Sequence, residues 1–133
     1  MEVVVVALLG FAGALLRYVI TELTGSINGF PVATLLINLS GCLVLGWFYT
    51  VSAQRMYVHP LMRLGIGTGF LGAFTTFSTF VVETWKLVQA GLYTFTWVYV
   101  LLTVAGGIIL GSIGAWLGRR QSRYRMSSRY RRV

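Results

Sequence analysis

The run Gly65-Ile66-Gly67-Thr68-Gly69-Phe70-Leu71-Gly72-Ala73-Phe74-Thr75-Thr76-Phe77-Ser78-Thr79-Phe80 decides how this chain folds. Its four glycines are followed by four hydroxyl residues (Thr75, Thr76, Ser78, Thr79) interleaved with Phe74, Phe77 and Phe80. Glycine loses the most backbone entropy in a helix, and threonine and phenylalanine lose χ1 freedom, so the run is a poor helix by propensity. It nevertheless sits in the middle of an apolar stretch from Leu61 to about Ala90. Thirty residues of unbroken helix reach about 45 Å, against roughly 30 Å of membrane hydrocarbon. Tilt could absorb the excess. The alternative is a helix that breaks near its centre. Unwound backbone at that depth is tolerated only where protein or a water-filled cavity satisfies it, and such breaks frame ion sites. A continuous glycine-packed helix, with hydroxyls bonded to their own i−4 carbonyls, is the competing reading.

Three further apolar runs surround this one, at Val3–Leu23, Val32–Ala53 and about Phe95–Leu117, each near the ~20 residues that cross a bilayer. Turn chemistry at Gly25-Ser26-Ile27-Asn28-Gly29-Phe30-Pro31 separates the first two, and Gln54-Arg55 with His59-Pro60 separates the second from the third. Short connections imply antiparallel neighbouring helices. Composition agrees. Of 133 residues, 56% are hydrophobic and 11% charged, and the mean hydropathy is +0.77. Soluble domains carry roughly 25% charged residues, and a small globule could not bury so much apolar surface. The chain is read as an all-α integral membrane protein. Val3–Leu23 is not a cleavable signal segment, since it lacks a basic n-region and contains Arg17.

Net charge is +8, yet seven of the eleven basic residues (Arg119, Arg120, Arg123, Arg125, Arg129, Arg131 and Arg132) follow the last apolar run. Residues 1–118 therefore form the membrane domain and 119–133 an arginine-rich tail. A basic tail beside a membrane span contacts anionic lipid headgroups more often than nucleic acid. Cys42 has no partner for a disulfide and lies in an apolar run as a packing residue. With no Asp, one His and no Cys pair, the sequence contains no enzyme-like constellation.

Three stretches together resemble the small fluoride-channel family known as Fluc or CrcB: Gly10-Phe11-Ala12-Gly13-Ala14-Leu15-Leu16-Arg17-Tyr18, then Pro31-Val32-Ala33-Thr34-Leu35-Leu36-Ile37-Asn38-Leu39-Ser40-Gly41, then Gly69 through Phe80. Phe74 departs from the smaller or aliphatic residue expected at its position. The resemblance implies an antiparallel, dual-topology homodimer of four-helix subunits in the cell membrane, with two fluoride pores at the interface. Passive fluoride exit would protect the cell from hydrogen fluoride that enters and ionises. A partner of reversed orientation encoded as a paralogue is the alternative to an identical subunit. Two other functions fit four small helices, a multidrug exporter of dual topology and a non-transporting scaffold. A proton-coupled exporter needs a carboxylate in the middle of its first helix, whereas Glu2 and Glu22 lie at the ends of this one.

Individual residues can be weighed against these expectations. Thr34 and Asn38 share a helix face, and the Asn38 amide could donate to an anion or simply bond another helix. Phe77 and Phe80 also share a face, and the electropositive edge of an aromatic ring attracts anions without holding them tightly. The resemblance places Thr34, Asn38, Phe77 and Phe80 on the fluoride path, extended by the hydroxyls of Ser78 and Thr79 and by Tyr99 and Thr103 one turn apart on the fourth helix. It assigns Arg17 to an aqueous vestibule, although snorkelling would also account for an arginine there. It also implies one structural sodium ion held by the backbone carbonyls of Gly72 and Thr75 from both subunits. Glu83 and Lys86 are spaced to pair on one helix, and Glu83 could also tune the pore entrance. Gly107, Gly111, Gly114 and Gly118 give four-residue spacings that let helices approach closely. The side carrying both termini holds nine Lys and Arg residues against Lys86 alone opposite, a strong bias for a dual-topology chain.

Overall fold

The computed structural model describes residues 1–27, 29–54 and 58–130, with backbone alone at 54 and over 122–130. Arg55, residues 131–133 and the side chains of Arg123, Arg125 and Arg129 lie outside the described residues. Helix α1 spans Glu2–Thr24 and α2 spans Val32–Gln54, 23 residues each. At 1.5 Å per residue both reach about 35 Å, enough to cross a bilayer. The third span, Pro60–Gln89, is composite. It comprises α3 (Pro60–Leu64), a π-helical segment (Gly65–Leu71), α4 (Gly72–Phe74) and α5 (Phe77–Gln89). The last helix, α6, runs unbroken over Tyr93–Tyr130, and its apolar span is Tyr93–Gln121. The described residues contain no strand beyond the isolated bridge between Ile27 and Phe30 in the first hairpin. This is a multi-pass, all-helical membrane protein.

The broken third helix is present, and the break falls just beyond the glycines. Thr75 (φ −76°, ψ 155°) and Thr76 (φ −145°, ψ 123°) are extended, while Gly65–Leu71 stays wound with a π-helical pitch. Both competing features of the sequence reading coexist here. The glycine run packs helically, and Thr75 Oγ1 donates to its i−4 carbonyl at Leu71 over 3.0 Å. Phe74 is buried and stacks on Phe70 with ring planes 6° apart.

Two pairings build the bundle: α1 lies along the π-helical segment and α4, and α2 lies along α6. Glycine makes both possible by letting backbone meet backbone. A Cβ at Gly13 would fall on the Phe70 carbonyl, and one at Gly114 on the Leu43 carbonyl. The glycine spacing of α6 thus serves packing inside the subunit. Most large apolar side chains of α1, including Val3, Leu8, Phe11 and Leu15, face outward. The buried core is small, and Tyr99, Ile37 and Thr34 are its most enclosed side chains.

Candidate functional site

Every helix break releases backbone groups, and here four of them have new partners. In a continuous helix the Thr76 N–H would donate to the Gly72 carbonyl. Instead it donates to Asn38 Oδ1 over 2.8 Å, while Asn38 Nδ2 donates back to the Thr76 carbonyl over 2.9 Å. The Thr79 N–H would likewise serve the Thr75 carbonyl, but goes to Thr76 Oγ1 at 3.2 Å, making Thr76 the N-cap of α5. Arg17 Nε reaches across from α1 to the Ala73 carbonyl at 3.2 Å. Arg17 is therefore tied to the break rather than extended to the membrane surface.

These substitutions give the break two polarities. On the α4 side, the Gly72 and Thr75 carbonyls have lost their helical donors, and Gly72 is exposed. Oxygen ligands of this kind suit a hard monovalent cation, so these two positions could hold one; among the described residues no cluster of His, Cys, Asp or Glu offers another metal site. On the α5 side, the first-turn N–H groups and the positive end of the helix dipole point at the same gap, which favours an anion.

A cavity of about 250 Å³ opens beside the break, lined by Asn38, Thr75, Thr76, Phe77 and Thr103 together with the Gly41–Cys42–Leu45 surface of α2. Thr103 Oγ1 is buried there with no hydrogen-bond partner. Such an orphan hydroxyl calls for a ligand or water. Thr76 Oγ1 donates to Thr79 Oγ1 over 3.0 Å and lies 3.3 Å from Ser78 Oγ, so the three hydroxyls cluster at the start of α5.

From the break an aromatic series runs inward between α2, α5 and α6. Phe77 is 5.8 Å from Phe80 between centroids, Phe80 is 5.2 Å from Tyr99, and Tyr99 meets Phe30 edge-on at 5.7 Å. Phe80 is buried whereas Phe77 is 78% exposed. At the far end, Glu83 accepts from Thr34 Oγ1 at 2.9 Å through one carboxylate oxygen and from Tyr99 OH at 2.8 Å through the other. Glu83 thus joins α2 to α6 rather than pairing with Lys86. Of the eight residues expected on the anion path, Asn38, Phe77 and Thr103 line the cavity, Ser78 and Thr79 stand at the start of α5, and Thr34, Phe80 and Tyr99 are buried between α2, α5 and α6. Sequence reasoning missed Thr76 and gave Glu83 only a pairing with Lys86 or a tuning of the pore entrance. Thr76 carried the signal of a hydroxyl three residues before Thr79, an N-cap spacing. Glu83 shares a face with Phe80 and Thr79 and is an ionisable group inside a span, itself a functional signal.

Comparison with known proteins shows the family of this chain. The family described as CrcB-like protein, Camphor Resistance (CrcB), matches residues 4–116. The chain is 43% identical over 117 residues to "Fluoride-specific ion channel FluC 1" of Bacillus cereus (strain ATCC 10987 / NRS 248), covering 86% of this chain and 85% of that protein. It is 43% identical over 123 residues to "Fluoride-specific ion channel FluC" of Oceanobacillus iheyensis, covering 92% of each. The counterpart from Moorella thermoacetica, also named "Fluoride-specific ion channel FluC 1", is 43% identical over 112 residues, covering 83% of this chain and 80% of that one. With four membrane spans, a third helix broken at Thr75–Thr76 and a family match from residue 4 to residue 116, this chain belongs to the CrcB family.

Proposed function

We propose that this chain is a fluoride-selective channel through which fluoride leaves the cell passively, protecting it from fluoride toxicity. The names of its relatives support the ion. The geometry supports the path: Thr103, whose buried hydroxyl has no hydrogen-bond partner, lines a cavity at the positive end of α5, beside Phe77. That conjunction carries the reading. A small anion in this cavity meets hydroxyl donors, the remaining N–H of Asn38, first-turn amides and aromatic ring edges. Beyond it Phe80, Tyr99 and Thr34 continue the track toward Glu83. No group along it is a permanent cation, so an anion is attracted by dipoles that can also release it.

The functional unit is an antiparallel homodimer with subunits of opposite orientation. Phe77 at 78% exposure and the exposed Gly72 leave a face of the break for a second subunit to cover. A sodium ion between the subunits, bound by the Gly72 and Thr75 carbonyls, would supply fixed positive charge that stabilises two facing breaks. The fit rests on the loss of helical donors at those two carbonyls.

Purified protein in liposomes provides the test. Encapsulated fluoride should escape through an electrogenic pathway while encapsulated chloride is retained. Loss of chloride at a comparable rate would reject the proposal. Reporters fused to the C-terminus should appear on both sides of the membrane in cells expressing this chain alone. Only cytoplasmic reporters, with no flux until a second chain is added, would replace the homodimer by a pair of paralogues.

A further inference from the structure

We propose that the basic continuation of α6 beyond the membrane, opened by Arg119, Arg120 and Arg123, docks on the anionic phospholipid headgroups of the leaflet it leaves. The family match ends at residue 116, so this segment lies beyond the part that the family model describes. It concentrates seven of the eleven basic residues, and no acidic residue follows Glu83. The backbone fixes where those charges emerge. Helix α6 passes from its apolar span into the basic segment without a break, as one helix of 38 residues and about 57 Å. Its first basic residues therefore stand at a height set by the bundle.

Two side-chain contacts mark that height. Trp47 Nε1 on α2 donates to Gln121 Oε1 on α6 over 3.1 Å. The Arg120 guanidinium lies 5.4 Å from the centroid of the Trp116 ring. Tryptophan settles at the headgroup level of a bilayer, so Trp47 and Trp116 place Arg119 and Arg120, both exposed, beside lipid phosphates. Arg123 follows one helical turn after Arg119. Across the same membrane face Arg63 lies 5.8 Å from the Tyr49 ring centroid, adding positive charge to this surface.

The sequence of the segment selects the kind of contact. Positions 119, 120, 123, 125 and 129 are spread around a helix, and the intervening residues form no apolar stripe. A helix lying flat on the membrane needs such a stripe. An upright helix ringed by arginine at its exit needs only anionic phosphates around it. Arginine suits this role, since its planar guanidinium binds phosphate oxygens in pairs. Each basic residue at an anionic surface contributes about fivefold in binding, attenuated by salt.

The test reads lipid occupancy instead of flux, so its failure and failure of the channel proposal are distinguishable. Native mass spectrometry of the full chain in detergent, with equimolar phosphatidylglycerol and phosphatidylcholine, should show phosphatidylglycerol retained in excess. The triple variant Arg119→Gln/Arg120→Gln/Arg123→Gln should lower that excess about fivefold per arginine removed. Replacing the same three residues by lysine should preserve most of it. Equal retention of the two lipids by the unmodified chain, or an undiminished excess in the glutamine variant, would overturn the proposal. So would binding of a short DNA duplex that the glutamine variant loses while its lipid preference is unaltered, which would make the segment a reader of soluble polyanions.

Discussion

Asn38 holds both backbone polar groups of Thr76, accepting from its N–H at 2.8 Å and donating to its carbonyl at 2.9 Å. One side chain on α2 thus replaces the helical acceptor of the Thr76 N–H and adds a second donor to the carbonyl that opens α5. By capturing the Thr76 N–H it also deprives the Gly72 carbonyl of its donor, so the clamp and the candidate cation ligands are two consequences of one contact. The second N–H of the Asn38 amide is left for the cavity. Asn38 can therefore serve the anion path and the fold together.

Replacing Asn38 by Ala should cost more than an ordinary interhelical hydrogen bond. The Thr76 N–H loses its acceptor while the Thr76 carbonyl keeps the first-turn donor of α5, and an unsatisfied buried polar group costs about 1–3 kcal/mol. Reversible unfolding in detergent should show a loss of about 2 kcal/mol or more, accompanied by loss of fluoride flux. A variant with native stability would mean that Thr76 finds other partners.

The two phenylalanines of the proposed anion path should separate in their effects. Phe80 is buried between Phe77 and Tyr99, so Phe80→Ile should lower both flux and stability, the latter by about 1–3 kcal/mol. Phe77 is mostly exposed, so Phe77→Ile should lower flux with a stability change of about 0.5 kcal/mol or less in the single subunit. Liposome flux paired with unfolding measurements on both variants checks this. Normal flux in both would remove the aromatic edge from the mechanism.

Glycines of α1 should differ sharply over three positions. A methyl group at Gly13 collides with the Phe70 carbonyl, which is backbone and cannot step aside, whereas one at Gly10 sits 3.6 Å from the Gly69 carbonyl oxygen, an ordinary contact. Gly13→Ala should therefore abolish folding or flux, and Gly10→Ala should retain both. Monodisperse elution in size-exclusion chromatography and fluoride efflux are the readouts.

The carboxylate of Glu83 couples Thr34 to Tyr99, so their contributions should not add. Tyr99→Phe removes a hydrogen bond to a charged group, worth about 1.5–3 kcal/mol. In a Glu83→Gln background the same substitution should cost about 1 kcal/mol less. A double-mutant cycle by thermal or chemical unfolding measures the difference, and strict additivity would show that the contact carries no weight.

A sodium ion at the Gly72 and Thr75 carbonyls predicts cation-dependent stability. Exhaustive replacement of sodium by a large organic cation should lower the unfolding temperature and the flux, and returning sodium should restore both. Unchanged behaviour after verified depletion would count against a required ion.

The sequence by itself determined the four spans and the weak point in the third. Hydropathy over ~20 residues and helix propensity are local properties, and Gly65–Phe80 violates helix propensity wherever it is placed. Its hydroxyls, its phenylalanines and the shared faces of Thr34 with Asn38 and Phe77 with Phe80 were likewise legible from spacing alone. Tertiary structure decided where the helix actually opens and what each polar side chain does there. Propensity would open the glycines, yet they stay wound because α1 packs its own backbone against them at Gly13 and Gly69. The opening falls at Thr75–Thr76 because Asn38, 38 residues away, and Arg17, 56 residues from Ala73, supply the hydrogen bonds that unwinding forfeits. Glu83 reads from spacing as the partner of Lys86, but Thr34 and Tyr99 reach it from two other helices. In hydrocarbon a released backbone or carboxylate group must be satisfied by whatever polar group the fold brings within about 3 Å, and sequence separation carries no information about that distance.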